Sequence, residues 1–184
     1  KDFNMFPGGK GANQAIAAAR LGGNVLMVGR IGLDEFGQQL LKNLKDNQVD
    51  TSTVLKVDRP TGTAFITVDQ NGQNSIIVVP GANASLSIDD IENLKQLIQE
   101  AKILVLQLEI PLDVVIRAID IAYEAGTTIL LNPAPATQIP IETLQKVSFL
   151  VPNESELAIL SGKEINNISD CLNAADHFLK TGCK

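Results

Sequence analysis

From Ser87 onward the chain alternates between segments with apolar residues at helical spacing and short, continuous apolar runs. Ser87-Ile-Asp-Asp90 reads as a helix start, with Ser87 as N-cap and Ile91, Leu94 and Ile98 on one face. Ile103 to Leu108 reads as a strand. Pro111 suits the first turn of a helix that Gly126 ends. Thr128 to Leu131 and Phe149 to Val151 read as further strands, with a short helix at Ile141 to Lys146 between them. Helices over Glu154 to Leu160 and Asp170 to Leu179 complete the series. Strands this apolar are buried on both faces, and strands joined through helices run parallel. The expected fold class is therefore α/β, a doubly wound, mostly parallel sheet with helices on both faces.

The first part of the chain is less regular. Alanine-rich Ala12 to Leu21 reads as a helix closed by Gly22-Gly23. Val25 to Val28 reads as a buried strand, and Glu35 to Asp46 as a helix with Phe36, Leu40, Leu41 and Leu44 at helical spacing. Between Thr51 and Pro80 no helix fits. Val54-Leu55, Ala64 to Val68 and Ser75 to Val79 are β-branched runs, and Asn71-Gly72 is a strong hairpin signal. Residues 51–80 are expected to form a small antiparallel sheet beside an α/β domain built from 1–50 and 81–184.

Composition narrows the function. The 184 residues carry 15 Lys and Arg against 21 Asp and Glu, a formal net charge of −6. Without a basic block, nucleic acid and anionic membrane surfaces are poor partners. No apolar run is long enough for a membrane helix. Cys171 and Cys183 cannot make a disulfide framework, which points to a reducing, cytoplasmic setting. A hydrolase would have to rest on His177, the one histidine, which lies on a polar helix. His177, Cys171 and Cys183 are expected to have no catalytic role, and Asp170 and Asp176 to be solvated.

In open parallel sheets ligands bind beyond the carboxyl ends of the strands. Glu109, Asn132 and the pair Asn153 and Glu156 follow three successive strands and are expected on one rim. Asn153 could equally cap its helix, with Glu156 completing a capping box. Glu109 could equally be a solvated strand-end acid. The other candidate is Gly8-Gly9-Lys10-Gly11-Ala12-Asn13, which opens the alanine-rich helix. Glycines allow close backbone approach, and a helix start offers N–H groups. It is neither a Walker A loop nor Gly-x-Gly-x-x-Gly. Lys10 and Asn13, one helical turn apart, suit a polyhydroxylated ligand with Glu109 as acceptor.

Gly8-Gly9-Lys10-Gly11-Ala12-Asn13-Gln14-Ala15 resembles the first signature of the ribokinase-like carbohydrate kinases, the phosphofructokinase-B superfamily. The likeness continues in order through Gly32-x-Asp34-x-x-Gly37, Thr61-Gly62, Gly81-Ala82-Asn83, Gln107-Leu108-Glu109, Asn132-Pro133-Ala134-Pro135 and Pro152-Asn153-Glu154-x-Glu156. It spans essentially the whole chain. The Asn-Pro-Ala-Pro and Gln-Leu-Glu forms are most similar to the ribose-phosphorylating branch, rather than to the adenosine or fructose branches.

The resemblance implies an ATP-dependent kinase acting on a primary hydroxyl, D-ribose to ribose 5-phosphate. It implies that Gly9, Lys10, Gly11, Asn13 and Glu109 bind the sugar, that Asn153 contacts nucleotide phosphates, and that Glu156 orders Mg²⁺ through water. Residues 51–80 would be a lid over the sugar, with Ala64, Ile66 and Ile76 as apolar contacts, and would pair two copies into a homodimer. A monovalent cation, K⁺, is implied as well. The family's general base is an Asp in a Gly-Ala-Gly-Asp motif, which does not occur here, so no catalytic residue is expected in this chain. An early Asn-x-Asp motif that supplies a sugar-binding Asp is also absent. Lys1 is not an initiator methionine, and Lys184 stands where an alternating fold would enter another strand. The chain is expected to be an internal piece, inactive alone, with the base beyond Lys184. A kinase for another sugar or a nucleoside, and a non-catalytic sugar-binding protein, are the alternatives.

Overall fold

A computed structural model describes residues 4–68, 70, 72–180 and 182–183. The end residues Lys1 and Lys184, and Asn71 of the hairpin turn, lie outside the described residues. The chain divides into two compact units, Lys1–Leu86 and Ser87–Lys184.

In the first unit, α1 (Lys10–Arg20) is followed by β1 (Gly29–Gly32), α2 (Glu35–Asp46), β2 (Val54–Val57), β3 (Thr63–Val68), β4 (Asn74–Val79) and a 3₁₀ turn at Gly81–Ser85. Helix α1 ends as expected: Gly22 takes a φ of 89° and the Gly23 N–H donates to the Ala18 carbonyl. The apolar side of α1 is small. Ala15 packs with Leu44 and Val49, flanked by Ala12, Ile16, Ala19, Val25 and Met27. Small residues allow a helix to approach its neighbours closely, which accounts for the run of alanines.

Two sequence expectations shift here. The regular strand is Gly29–Gly32, not Val25 to Val28, where Leu26 makes only an isolated bridge to Asp50. Strand β2 does not join the antiparallel pair. It runs parallel to β1, with Gly29 opposite Val54 and Gly32 opposite Val57. The antiparallel sheet is β3 with β4 alone, Ala64 opposite Val78 and Ile66 opposite Ile76. A β-branched run carries no mark of its partner, so β2 could not be told from β3 and β4 by composition.

In the second unit, α3 (Ile88–Asn93) and α4 (Lys95–Glu100) replace the single helix expected after Ser87, with a break at Leu94. Ser87 caps α3 and forms a capping box with Asp90. Then come β5 (Ile103–Leu106), α5 (Leu112–Ala125), β6 (Thr128–Leu131), α6 (Ile141–Leu144), β7 (Phe149–Leu150), α7 (Glu154–Ser161) and α8 (Ile168–Lys180). The three strands form one parallel sheet in the order β5-β6-β7. Gly126 closes α5 in the left-handed region, as expected. Val114, Val115, Ala118, Ile119, Ile121 and Ala122 of α5 are buried, together with Ile98, Leu106, Ile129, Leu131, Leu144 and Val147. An ion pair between Arg117 and Glu92 joins α5 to α3 at the surface. The α/β architecture expected from the alternation is present, with parallel sheets and one small antiparallel sheet.

Candidate functional site

In the first unit the glycine loop ends at Gly9, the N-cap of α1, with φ 95°. A side chain is disfavoured in that conformation, so glycine is required at the turn into the helix. No side chain caps this helix start. Lys10 is the first helical residue, and the Asn13 N–H donates to the Gly9 carbonyl at 2.9 Å, closing the first turn. Lys10 and Asn13 are exposed, and Gly11 lies between them half-buried. The structure thus presents Gly9, Lys10, Gly11 and Asn13 together at one helix start, as the spacing predicted.

The same unit holds a cluster to which the sequence assigned no chemistry. Asp34 caps α2 by accepting from the Gly37 N–H. The same oxygen accepts from the Thr61 hydroxyl at 2.5 Å, and the other oxygen accepts from the Thr61 N–H at 2.7 Å. That hydroxyl also accepts from the Gly32 N–H at 2.9 Å. Three backbone N–H groups, from Gly32, Gly37 and Thr61, therefore meet on one carboxylate and one hydroxyl. The glycines around them leave no room. A Cβ on Gly32 would stand 2.4 Å from the Arg59 carbonyl oxygen, and one on Gly37 would stand 2.5 Å from that of Gly32. Asp followed three positions later by Gly at a helix start was the available signal for the cap; nothing local signalled Thr61.

The Thr61 hydroxyl, the Thr61 N–H and then the Gly37 N–H hold the Asp34 carboxyl below its ordinary value, against a smaller opposing effect of burial. A lowered folded-state value means the charged form stabilises the fold at pH above the ordinary Asp range. That contribution disappears as pH falls through the folded value. The urea midpoint of Asp34→Asn should therefore lie below wild type by a constant gap from pH 7 to about 5, and the gap should narrow as pH falls below about 4. A gap that stays constant to pH 3 would contradict this.

In the second unit the carboxyl ends of β5, β6 and β7 share one rim, because the strands are parallel neighbours. Glu109 follows β5 and is half-buried. Asn132 follows β6, and its amide donates to the Val151 carbonyl at 2.9 Å, tying the ends of β6 and β7. The Leu108 N–H donates to the Ala134 carbonyl, tying β5 to the same segment. Asn153 and Glu156 form a reciprocal box at the start of α7. The Asn153 side chain accepts from the Glu156 N–H, and Glu156 accepts from the Asn153 N–H, both at 2.8 Å. The Asn153 amide also donates to the other Glu156 oxygen at 3.0 Å. Glu156 is 8% exposed. The capping box weighed from the sequence is present. Each oxygen of the buried Glu156 carboxylate accepts one hydrogen bond from Asn153 and holds a further lone pair.

Asp170, Asp176 and His177 lie away from this rim, in an open polar groove along α8 with Lys163, Glu164 and Lys180. Asp176 pairs with Lys180. Cys171 and Cys183 form no disulfide. Among the described residues, no cluster of three His, Cys, Asp or Glu side chains could hold a metal directly. No helix among them is long and apolar enough to cross a membrane.

The whole chain, residues 1–184, matches the family model described as pfkB family carbohydrate kinase. The ribokinase of Staphylococcus aureus is 42% identical over 180 residues, which cover 97% of this chain and 59% of that protein. The deoxyribokinase of Salmonella typhi is 39% identical over 182 residues, covering 98% of this chain and 60% of that protein. Among solved structures, Arabidopsis thaliana ribokinase complexed with ribose and ATP superimposes with a TM-score of 0.84 at 36% identity, over 95% of this chain and 58% of that one. The chain thus spans about three fifths of the length of these relatives. On this match along its full length, the chain belongs to the pfkB family of carbohydrate kinases.

Proposed function

We propose that the full-length protein containing this chain is an ATP-dependent sugar kinase that phosphorylates the primary hydroxyl of D-ribose. The observation that carries this reading is the glycine loop, which presents Lys10 and Asn13 at a helix start with no side-chain cap. The relatives' names support ribose as acceptor, since similar proteins are ribokinases, one of them solved with ribose and ATP. Gly9, Lys10, Gly11 and Asn13 of the first unit, and Glu109 of the second, are assigned to sugar hydroxyls, each from its own motif. Lysine and the asparagine amide donate, while the Glu109 carboxylate accepts.

Asn153 is assigned to nucleotide phosphate, for which its exposed position at the start of α7 is suited. Glu156 is assigned to a cation held through water, since both of its oxygens keep acceptor capacity. Bound Mg²⁺ neutralises charge on the phosphate oxygens. In the transfer, the sugar oxygen forms a bond to the γ-phosphorus as the bond to the bridging oxygen of ADP breaks. The chain's residues contribute by position and charge. No residue of this chain is assigned to take the hydroxyl proton, and none to the expected K⁺.

The β3–β4 ribbon is assigned as the lid of residues 51–80, which excludes competing water from the acceptor. Facing pairs place Phe65 with Ile77 on one side and Ile66 with Ile76 on the other, all exposed. Two apolar faces allow one to cover sugar while the other meets a second copy, which makes a homodimer part of the proposal.

The test is an ATP-dependent phosphorylation assay on the full-length protein with Mg²⁺ and K⁺, across ribose, deoxyribose, fructose and adenosine. Ribose is expected to be preferred. The similar deoxyribokinase makes deoxyribose the second reading. Glu109→Ala should raise the KM for sugar about 10- to 150-fold, the worth of one charged hydrogen-bond partner. An unchanged KM would remove Glu109 from the site. Sugar binding without turnover of any acceptor would replace the kinase reading with a binding protein.

A further inference from the structure

Beyond Thr63, every described residue of β3 and β4 is exposed. A ribbon whose described residues bury neither face within this chain takes its direction there from its root. Thr61 and Gly62 lead into β3, and Pro80 and Gly81 lead out of β4. The two legs are stitched by the Ala82 N–H donating to the Pro60 carbonyl at 2.8 Å. They also approach too closely for side chains. A Cβ on Gly62 would lie 2.7 Å from the Pro80 carbonyl oxygen, and one on Gly81 would lie 2.3 Å from that of Pro60. This stitched pair is then fastened to the turn between β1 and α2 through the Asp34 carboxylate and the buried Thr61 side chain.

We propose that Asp34 is a positioning residue that sets the direction of the β3–β4 ribbon, through Thr61, and thereby its ability to close over the sugar. This rests on the reading of the ribbon as the lid of a sugar kinase. The chemistry is specific to a carboxylate. Asp34 accepts from the Thr61 N–H, the Thr61 hydroxyl and the Gly37 N–H together. Asparagine has one acceptor oxygen and would turn an N–H group towards one of these donors. The helix cap and the Thr61 hydroxyl share one oxygen and could both survive the exchange; the bond from the Thr61 N–H, made to the other oxygen, could not.

The test reads ribbon direction and sugar affinity separately, in the full-length protein with Cys171 and Cys183 replaced by serine. Spin labels at Gln39→Cys on α2 and Ser75→Cys on β4 report the ribbon's spread as a distance distribution. Wild type should give a single narrow distribution. Asp34→Asn and Thr61→Val should each at least double its width, and Thr61→Ser, which keeps the hydroxyl, should restore it. In kinetics the first two variants should raise the sugar KM about tenfold or more, with kcat and the KM for ATP within threefold of wild type, and Thr61→Ser should again lie near wild type. Unchanged widths would overturn the proposal, as would broadened widths with an unchanged sugar KM. Thr61→Val leaves the Asp34 cap of α2 in place and carries the comparison if Asp34→Asn does not fold. An inactive wild type would defeat the kinase reading instead, while the widths would still decide whether Asp34 aims the ribbon.

Discussion

Gly81→Ala is expected to cost the full-length protein about 2–5 kcal/mol of stability, read as a lowered urea midpoint with an unchanged slope. Two effects add. Gly81 has a φ of 54°, and placing a residue with a Cβ in the left-handed region costs about 1–2 kcal/mol. The new Cβ would also stand 2.3 Å from the Pro60 oxygen and 2.9 Å from the Gly62 nitrogen. Both are backbone atoms, and the Pro60 oxygen is held by the Ala82 N–H, so neither can turn aside as a side chain would. Forcing them apart costs about 1–3 kcal/mol, as in other overpacked sites. Gly126 provides the control. Its φ is 77°, yet nothing lies within 4 Å of a Cβ built there. Gly126→Ala should therefore show only the backbone part. Equal losses for the two variants would mean that the root of the ribbon yields freely.

Ile119→Ala should cost about 2–5 kcal/mol, the range for removing a large aliphatic side chain from a closed core. Ile119 is 0% exposed, on the face of α5 that also buries Val115 and Ala122. Around a packed helix the cavity cannot collapse fully, so the loss exceeds the transfer of the removed methyl groups alone. Ile119→Val should cost about 0.5–1.5 kcal/mol by the same reasoning. Leu172→Ala on α8, where the side chain is 65% exposed, should stay within about 0.5 kcal/mol of wild type. Thermal and urea unfolding of the three variants check the series. A loss below about 1 kcal/mol for Ile119→Ala would show that α5 is not the centre of the second unit.

These two sites illustrate what could be read in advance. The span of α2, Glu35 to Asp46, and of β6, Thr128 to Leu131, follow from local pattern and coincide with the structure. Gly126 as a helix stop and Ser87 as a helix start were legible for the same reason, since caps use residues within a turn of each other. Gly9, Lys10, Gly11 and Asn13 were legible as a group because one helix start gathers them. The Asn153 and Glu156 box was legible too, although its two readings, cap and ligand site, share the same residues.

Pairing was not legible. The strand at Gly29–Gly32 contains two glycines and an arginine, so nothing in its composition marks it, whereas the more apolar Val25 to Val28 makes only an isolated bridge. The break at Leu94 was hidden as well, since Ile91, Leu94 and Ile98 continue one apolar face across it.

By itself the sequence determined the order and type of most elements, the helix ends and the family, because periodicity, caps and contiguous motifs act over a few residues. Only the tertiary structure decided that β2 runs beside β1, and that Asp34 binds Thr61 across 27 positions of chain. A hydrogen bond between distant segments leaves no period in either of them, so the partners become known only when the backbone brings them within 3 Å.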